Sequence, residues 1–112
     1  MQSYGTMYYV DNMKESVSFY KKSLGATPIE ESDFWTEFDF GGHKLCLHAK
    51  RADEKYKANG VLILKQDGTK SLFEKMKADG LNVTGLHEVH PGAWSFHLND
   101  LSNNEVSIYG AP

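Results

Sequence analysis

Two five-residue stretches decide the fold: Lys44-Leu45-Cys46-Leu47-His48 and Glu105-Val106-Ser107-Ile108-Tyr109, which superpose without a gap. In the first, Leu45 and Leu47 alternate with Cys46 and His48, the period of two that marks a strand buried on one face. In the second, Val106 and Ile108 take the places of the leucines, and Ser107 takes the place of Cys46. The same strand occurring once in each half of a chain points to an internal duplication, provided that the elements before each copy also correspond.

They do. Thr6 to Val10 is β-branched, aromatic or flexible apolar and reads as a strand, ended by Asp11-Asn12, a good helix N-cap region. Met13, Val17, Tyr20 and Leu24 then recur at helical spacing, and Gly25 supplies the stop. A strand over Ala26 to Ser32 follows, then Phe34 to Phe40, in which Phe34, Phe38 and Phe40 alternate with Trp35, Glu37 and Asp39, and Gly41-Gly42 turns the chain into Lys44 to His48. After an exposed, charged connector over 51–59, the order returns. Gly60 to Lys65 reads as a strand and Ser71 to Ala78 as a helix carrying Leu72, Phe73 and Met76, stopped by Gly80. Asn82 to Val89, Ala93 to Asn99 and Glu105 to Tyr109 read as three strands separated by Pro91-Gly92 and Asn103-Asn104. The expected architecture is α+β: two tandem βαβββ modules, 1–50 and 60–112 of one 112-residue domain, forming a cupped eight-strand mixed sheet with helices on the outer face.

Val10-Asp11 followed by Ser18-Phe19-Tyr20-Lys21-Lys22-Ser23-Leu24-Gly25, and Glu74-Lys75-Met76-Lys77-Ala78-Asp79-Gly80 with the closing Asn99 to Ile108, resemble the vicinal oxygen chelate superfamily. That superfamily includes glyoxalase I, extradiol dioxygenases, fosfomycin-resistance enzymes and bleomycin-resistance proteins, and the resemblance covers nearly the whole chain. In the closing segment Leu101, Ser102 and Asn103 stand where the family carries Pro, Asp and Gly. The resemblance implies four metal-ligand places, one on the first and one on the last strand of each module, usually His and Glu. Here those places hold Gly5, Cys46, Val61 and Ser107. Gly5 and Val61 have no ligating side chain, and Ser107 is a poor neutral ligand for a divalent ion. Only Cys46 could bind, as a thiolate, and one ligand does not hold a metal. The family's metal-assisted chemistry is therefore expected to be absent, with no cofactor.

With Leu45, Leu47, Val106 and Ile108 turned to the helices, the opposite face carries Met7, Tyr9, Trp35, Glu37, Cys46, His48, Ile63, Lys65, Ser107 and Tyr109, joined by Ser95, His97 and Asn99. The candidate ligand-binding residues are Met7, Tyr9, Trp35, Glu37, Cys46, His48, Lys65, His97, Ser107 and Tyr109. Trp35, Tyr9 and Tyr109 are suited to stack on a flat ligand, and the histidines either line a wet cavity or act as acids and bases. His48, two positions from Cys46 on the same face, is somewhat far to serve it as a base. His87-Glu88-Val89-His90 lies in a strand segment, not on the helix that a zinc-protease motif requires.

Composition narrows the partners. A 40% hydrophobic content supplies one core, and a net charge of -3 argues against nucleic acid or an anionic membrane. Met1 to Gly5 lacks a signal peptide's basic start and apolar run, and a single cysteine suits a reducing compartment, so a cytoplasmic location is expected. A homodimer is expected too, since strand edges left by two modules need covering. Three readings stay open. The first is a metal-free binding protein resembling the bleomycin-resistance proteins. The second is a glyoxalase- or dioxygenase-type enzyme with a displaced metal on His48, His97 and Glu37, and the third is a non-catalytic dimeric regulatory module.

Overall fold

The structure, a computed structural model, describes residues 4–50 and 60–112. The 51–59 connector lies outside the described residues. The chain divides into two compact units, the second beginning at Gly60, each with its own sheet and helix.

In the first unit, β1 (Gly5–Val10) leads into α1 (Met13–Leu24). The helix begins where the Asn12 side chain accepts a hydrogen bond from the Glu15 N–H at 3.0 Å. It ends at Gly25, whose φ of 63° is the left-handed conformation that lets the chain turn away. Met13, Ser16, Val17 and Tyr20 form its buried stripe. Three strands follow, β2 (Pro28–Glu31), β3 (Trp35–Phe40) and β4 (His43–Ala49), in the sheet order β1-β4-β3-β2 with β1 parallel to β4. Tyr8, Val10, Phe38, Leu45 and Leu47 share the face under α1, where the Tyr20 and Phe38 rings lie 5.8 Å apart.

The second unit repeats the plan. β5 (Val61–Lys65), α2 (Thr69–Ala78), β6 (Val83–His90), β7 (Ala93–Asn99) and β8 (Glu105–Gly110) form a sheet of order β5-β8-β7-β6, again with the first and last strands parallel. Leu62, Phe96, Leu98, Val106 and Ile108 are its buried face, and Phe73 of α2 meets Phe96 edge-on at 5.4 Å. The duplication is visible in the register. Gly5 and Met7 pair with Lys44 and Cys46, as Val61 and Ile63 pair with Glu105 and Ser107.

Three local expectations change. Phe34 does not join the inward phenylalanine row: it is 76% exposed, because β3 starts only at Trp35. The Ser32 hydroxyl oxygen accepts from the Phe34 and Trp35 N–H groups, and this turn claims Phe34 before the alternation begins. β2 covers only Pro28–Glu31, with a register shift between Pro28 and Glu30 that leaves Ile29 exposed. Finally, α2 starts at Thr69 instead of Ser71. Gly68 takes the left-handed conformation before the helix, and the Thr69 hydroxyl donates toward the Gln66 and Ala111 carbonyls.

Candidate ligand-binding face

The residues of β1, β3 and β4 on the face away from α1 include Met7, Tyr9, Trp35, Glu37, Lys44, Cys46 and His48, a consequence of strict alternation along three strands in register. Six of the ten candidate residues thus come together in the first unit. Trp35 stands opposite His48, and Glu37 opposite Cys46.

Glu37 is the centre of this face. It is only 4% exposed, a position at which a carboxylate needs partners. The Trp35 indole N–H donates to its Oε2 at 2.7 Å, and the Tyr4 hydroxyl lies 2.7 and 2.8 Å from its two oxygens. Lys44 Nζ is 3.6 Å from Oε1 and sits 4.4 Å over the Tyr4 ring. The Trp35 hydrogen bond first, then that from Tyr4, hold the Glu37 carboxyl below its usual range against the opposing effect of burial, with Lys44 adding to them. The same contact with Glu37 raises the Tyr4 hydroxyl above its usual value. Cys46, 2% exposed, has its thiol pushed up by burial and then by the neighbouring Glu37, which suits a packed thiol and opposes a nucleophilic thiolate.

His48 adds a directional group. Its Nδ1 is 2.7 Å from the Ala49 carbonyl oxygen, which can only accept, so Nδ1 carries the proton and the neutral ring offers its lone pair at Nε2. The ring stands 5.0 Å from Tyr9 and 6.0 Å, edge-on, from Trp35. Trp35 and His48 also line an open cavity of about 540 Å³ with Asp33, Phe34, Ala49 and Lys50.

The other four candidates lie in the second unit on the face away from α2. Ser107 pairs in register with His97, and its hydroxyl is 3.2 Å from that of Ser95. His97 Nδ1 is 3.1 Å from Glu105 Oε1 without hydrogen-bond alignment, and its ring edge lies beneath the bulge at Gly85, where a Cβ would come within 3.0 Å of Cδ2. Tyr109 meets His90: Nδ1 of that ring faces the Pro91 carbonyl at 3.2 Å, so its Nε2 accepts from the Tyr109 hydroxyl at 3.0 Å. Lys65 is exposed at the end of β5, and Ile63 beside it is 68% exposed.

Tyr4, Lys44 and His90 are the participants that the sequence reading missed. Lys44 was within reach, since it lies two positions before Cys46 and therefore on the same face. Tyr4 precedes the strand pattern and meets Glu37 across 33 positions, a contact for which the local sequence carries no signal.

The side chains at the four places that the resemblance assigns to metal ligands do not suit a metal. A Cβ at Gly5 would press into the Lys44 carbonyl of the adjacent strand, so no ligating side chain could stand there without displacing it. Val61 is aliphatic, the Ser107 hydroxyl is engaged with Ser95, and the Cys46 thiol is disfavoured as a thiolate. Among the described residues, no group of three or more His, Cys, Asp and Glu side chains is placed to share an ion. No helix among them is long and apolar enough to cross a membrane.

Comparison with known proteins bears on the fold. Lactoylglutathione lyase from Agrobacterium tumefaciens superposes with a TM-score of 0.80 at 19% identity, covering 96% of this chain and 92% of that one. The fosfomycin resistance protein FosX from Listeria monocytogenes gives 0.78 at 15%, covering 100% and 94%. An Agrobacterium tumefaciens protein solved by NMR gives 0.80 at 23%, covering 100% and 98%. These likenesses show the fold. No curated protein sequence matches the chain. A family model, however, matches residues 5–108, and with nearly its whole length covered the chain belongs to the Glyoxalase/Bleomycin resistance protein/Dioxygenase superfamily.

Proposed function

We propose that this chain is a metal-free small-molecule-binding member of its superfamily, acting in the cytoplasm as a homodimer. The observation that carries the reading is the set of side chains at the four ligand places, Gly5, Cys46, Val61 and Ser107, which cannot together hold a divalent ion. What stands on the first unit's face away from α1 is suited to holding an organic molecule. Trp35 is fixed by Glu37, His48 presents a lone pair at Nε2, and Tyr9 stands beside it. Met7 and Cys46 belong to the same set, and Lys65, His97, Ser107 and Tyr109 are the proposed binding residues of the second unit's own face. Ordered aromatic rings with a few directed polar groups are the usual makings of such a site.

Two measurements test this together. Elemental analysis of the purified protein is expected to find no stoichiometric divalent metal. About one zinc, iron, manganese or nickel ion per chain, lost on His48→Ala, would overturn the metal-free reading in favour of a displaced catalytic site. Thermal denaturation against a panel of small aromatic and amphipathic compounds is expected to show concentration-dependent stabilisation, roughly 2.7 kcal/mol at a hundredfold excess over Kd. A flat response across the panel would favour a regulatory or dimerisation module.

A further inference from the structure

The cavity beside Trp35 and His48 has an uneven charge. Of its lining residues, Lys50 already has its ammonium 3.0 Å from Asp11 Oδ1, so its charge is met outside the cavity. Asp33, in contrast, has no hydrogen bond or ion pair from its side chain to any described residue. His48 cannot donate into the cavity in its neutral form, because its one N–H is directed to the Ala49 carbonyl. Two residues with acceptor groups, one of them anionic, therefore line a space whose one cationic lining side chain is already ion-paired with Asp11. The Trp35 ring stands beside them with its indole N–H directed to Glu37. Its π-face favours a cation over an anion.

Resting on the small-molecule reading above, we propose that this cavity is a site for a cationic aromatic amine. The flat ring lies against Trp35, the protonated amine is set toward Asp33, and a ring N–H or O–H is donated to His48 Nε2. A volume of about 540 Å³ accommodates a bicyclic ring with a short side chain. An anion in the same place would meet the Asp33 carboxylate and a Lys50 ammonium whose charge is already paired with Asp11. Because Asp33 is exposed, water and salt screen its charge, so the preference for a cation is moderate and falls with ionic strength. Glu37 acts on this site as a positioning residue through the Trp35 ring.

Three indoles that share one ring and differ in charge test the assignment: tryptamine, tryptophol and indole-3-acetate, titrated into the isotopically labelled protein and followed by its amide NMR spectrum. Tryptamine is expected to give saturable shifts at the amides of residues 33–35 and 48–50, with an affinity about tenfold above that of indole-3-acetate. Asp33→Asn should erase the difference between tryptamine and tryptophol. His48→Phe should weaken both by about fivefold while keeping their order. The dispersion of each variant's spectrum reports its fold independently. Equal or tighter binding of indole-3-acetate at the same amides would overturn the charge preference and leave the small-molecule reading intact. Shifts that spare residues 33–35, an unchanged ranking in Asp33→Asn, or no saturable binding of any of the three would overturn the site itself. The broader thermal panel decides the small-molecule reading separately.

Discussion

The Trp35 indole N–H donates to the Glu37 carboxylate at 2.7 Å, between residues two apart on one strand face. The pair couples a buried charge to the orientation of an aromatic ring, and Tyr4 and Lys44 complete the carboxylate's partners. This makes Glu37 a titratable support. A carboxyl whose folded pKa is lowered gives stability that is full above its unfolded value, 4.5, and is lost as pH falls through the lower folded value. Melting temperature should therefore drop on acidification below about pH 4.5 more steeply in the native protein than in Glu37→Gln. Tryptophan emission should change over the same range. Parallel pH profiles for the two proteins would show that Glu37 does not carry this linkage.

Thr36 lies one residue from each member of that pair and on the opposite face, fully buried, with no hydrogen-bond partner for its hydroxyl among the described residues. A buried hydroxyl without a partner costs about 1–3 kcal/mol relative to a bonded one. Thr36→Val keeps the branched shape and removes the polar atom. It should raise stability by about 1 kcal/mol, read as a higher denaturant midpoint with an unchanged m-value. A loss of stability would mean that the hydroxyl is satisfied in solution.

The two sides of each sheet should respond differently to truncation. Leu47 and Ile108 are 0% and 2% exposed and lie under the helices. Leu47→Ala or Ile108→Ala should cost roughly 2–5 kcal/mol. Trp35→Ala and Tyr109→Ala, on the opposite faces, should remove ligand-induced stabilisation with a smaller loss of stability. If Trp35→Ala destabilises as much as Leu47→Ala and leaves the ligand response unchanged, those faces are structural and the binding residues lie elsewhere.

The strands were legible in the sequence where alternation continued into the middle of a sheet. Leu45, Leu47, Val106 and Ile108 fixed which face was buried, and the two registers repeat one another as the duplicated pattern implies. α1 was legible to the residue, because Asn12 and Gly25 mark its two ends chemically. Phe34 misled because alternation carries no information about where a turn stops and a strand starts. The partners of Glu37 were hidden for a different reason: they are long-range contacts made by Tyr4 and Lys44, and the burial that makes them necessary exists only once β1, β3 and β4 are side by side. His90 was obscured by the register shifts in β6, which change which residues share the face with Tyr109.

The proposed homodimer has a direct check. β1 and β5 are edge strands of their own sheets, and Met7, Val61 and Ile63 on them are 41%, 40% and 68% exposed. Exposed apolar side chains along strand edges favour pairing with another chain. Light scattering across a dilution series should give twice the chain mass of 12.6 kDa over the micromolar range. A mass of one chain at every concentration would end the dimer proposal.

The turn before β8 shows how a departure from the family pattern is accommodated, and it yields a prediction in both directions. Where the family has Pro, Asp and Gly, this chain has Leu101, Ser102 and Asn103, and Asn103 takes the left-handed conformation with a φ of 63°. Asparagine tolerates that region better than other non-glycine residues, yet still at a cost. Asp100, 7% exposed, holds the turn closed: its Oδ1 accepts from the Ser102 and Asn104 N–H groups at 2.9 and 2.7 Å, and its Oδ2 from the Asn104 amide at 3.0 Å. Asp100→Ala leaves those donors without partners and should cost about 1–3 kcal/mol. Asn103→Gly relieves the backbone, but it loosens the unfolded chain and removes the contact between Asn103 Oδ1 and the Asn99 amide at 3.1 Å. Those losses offset the relief, so its net change should be small, within about 0.5 kcal/mol. Denaturant titration of the two variants and of the double variant separates the roles. If Asp100→Ala proves as mild as Asn103→Gly, the turn is held by its backbone conformation, and the side-chain clamp is incidental.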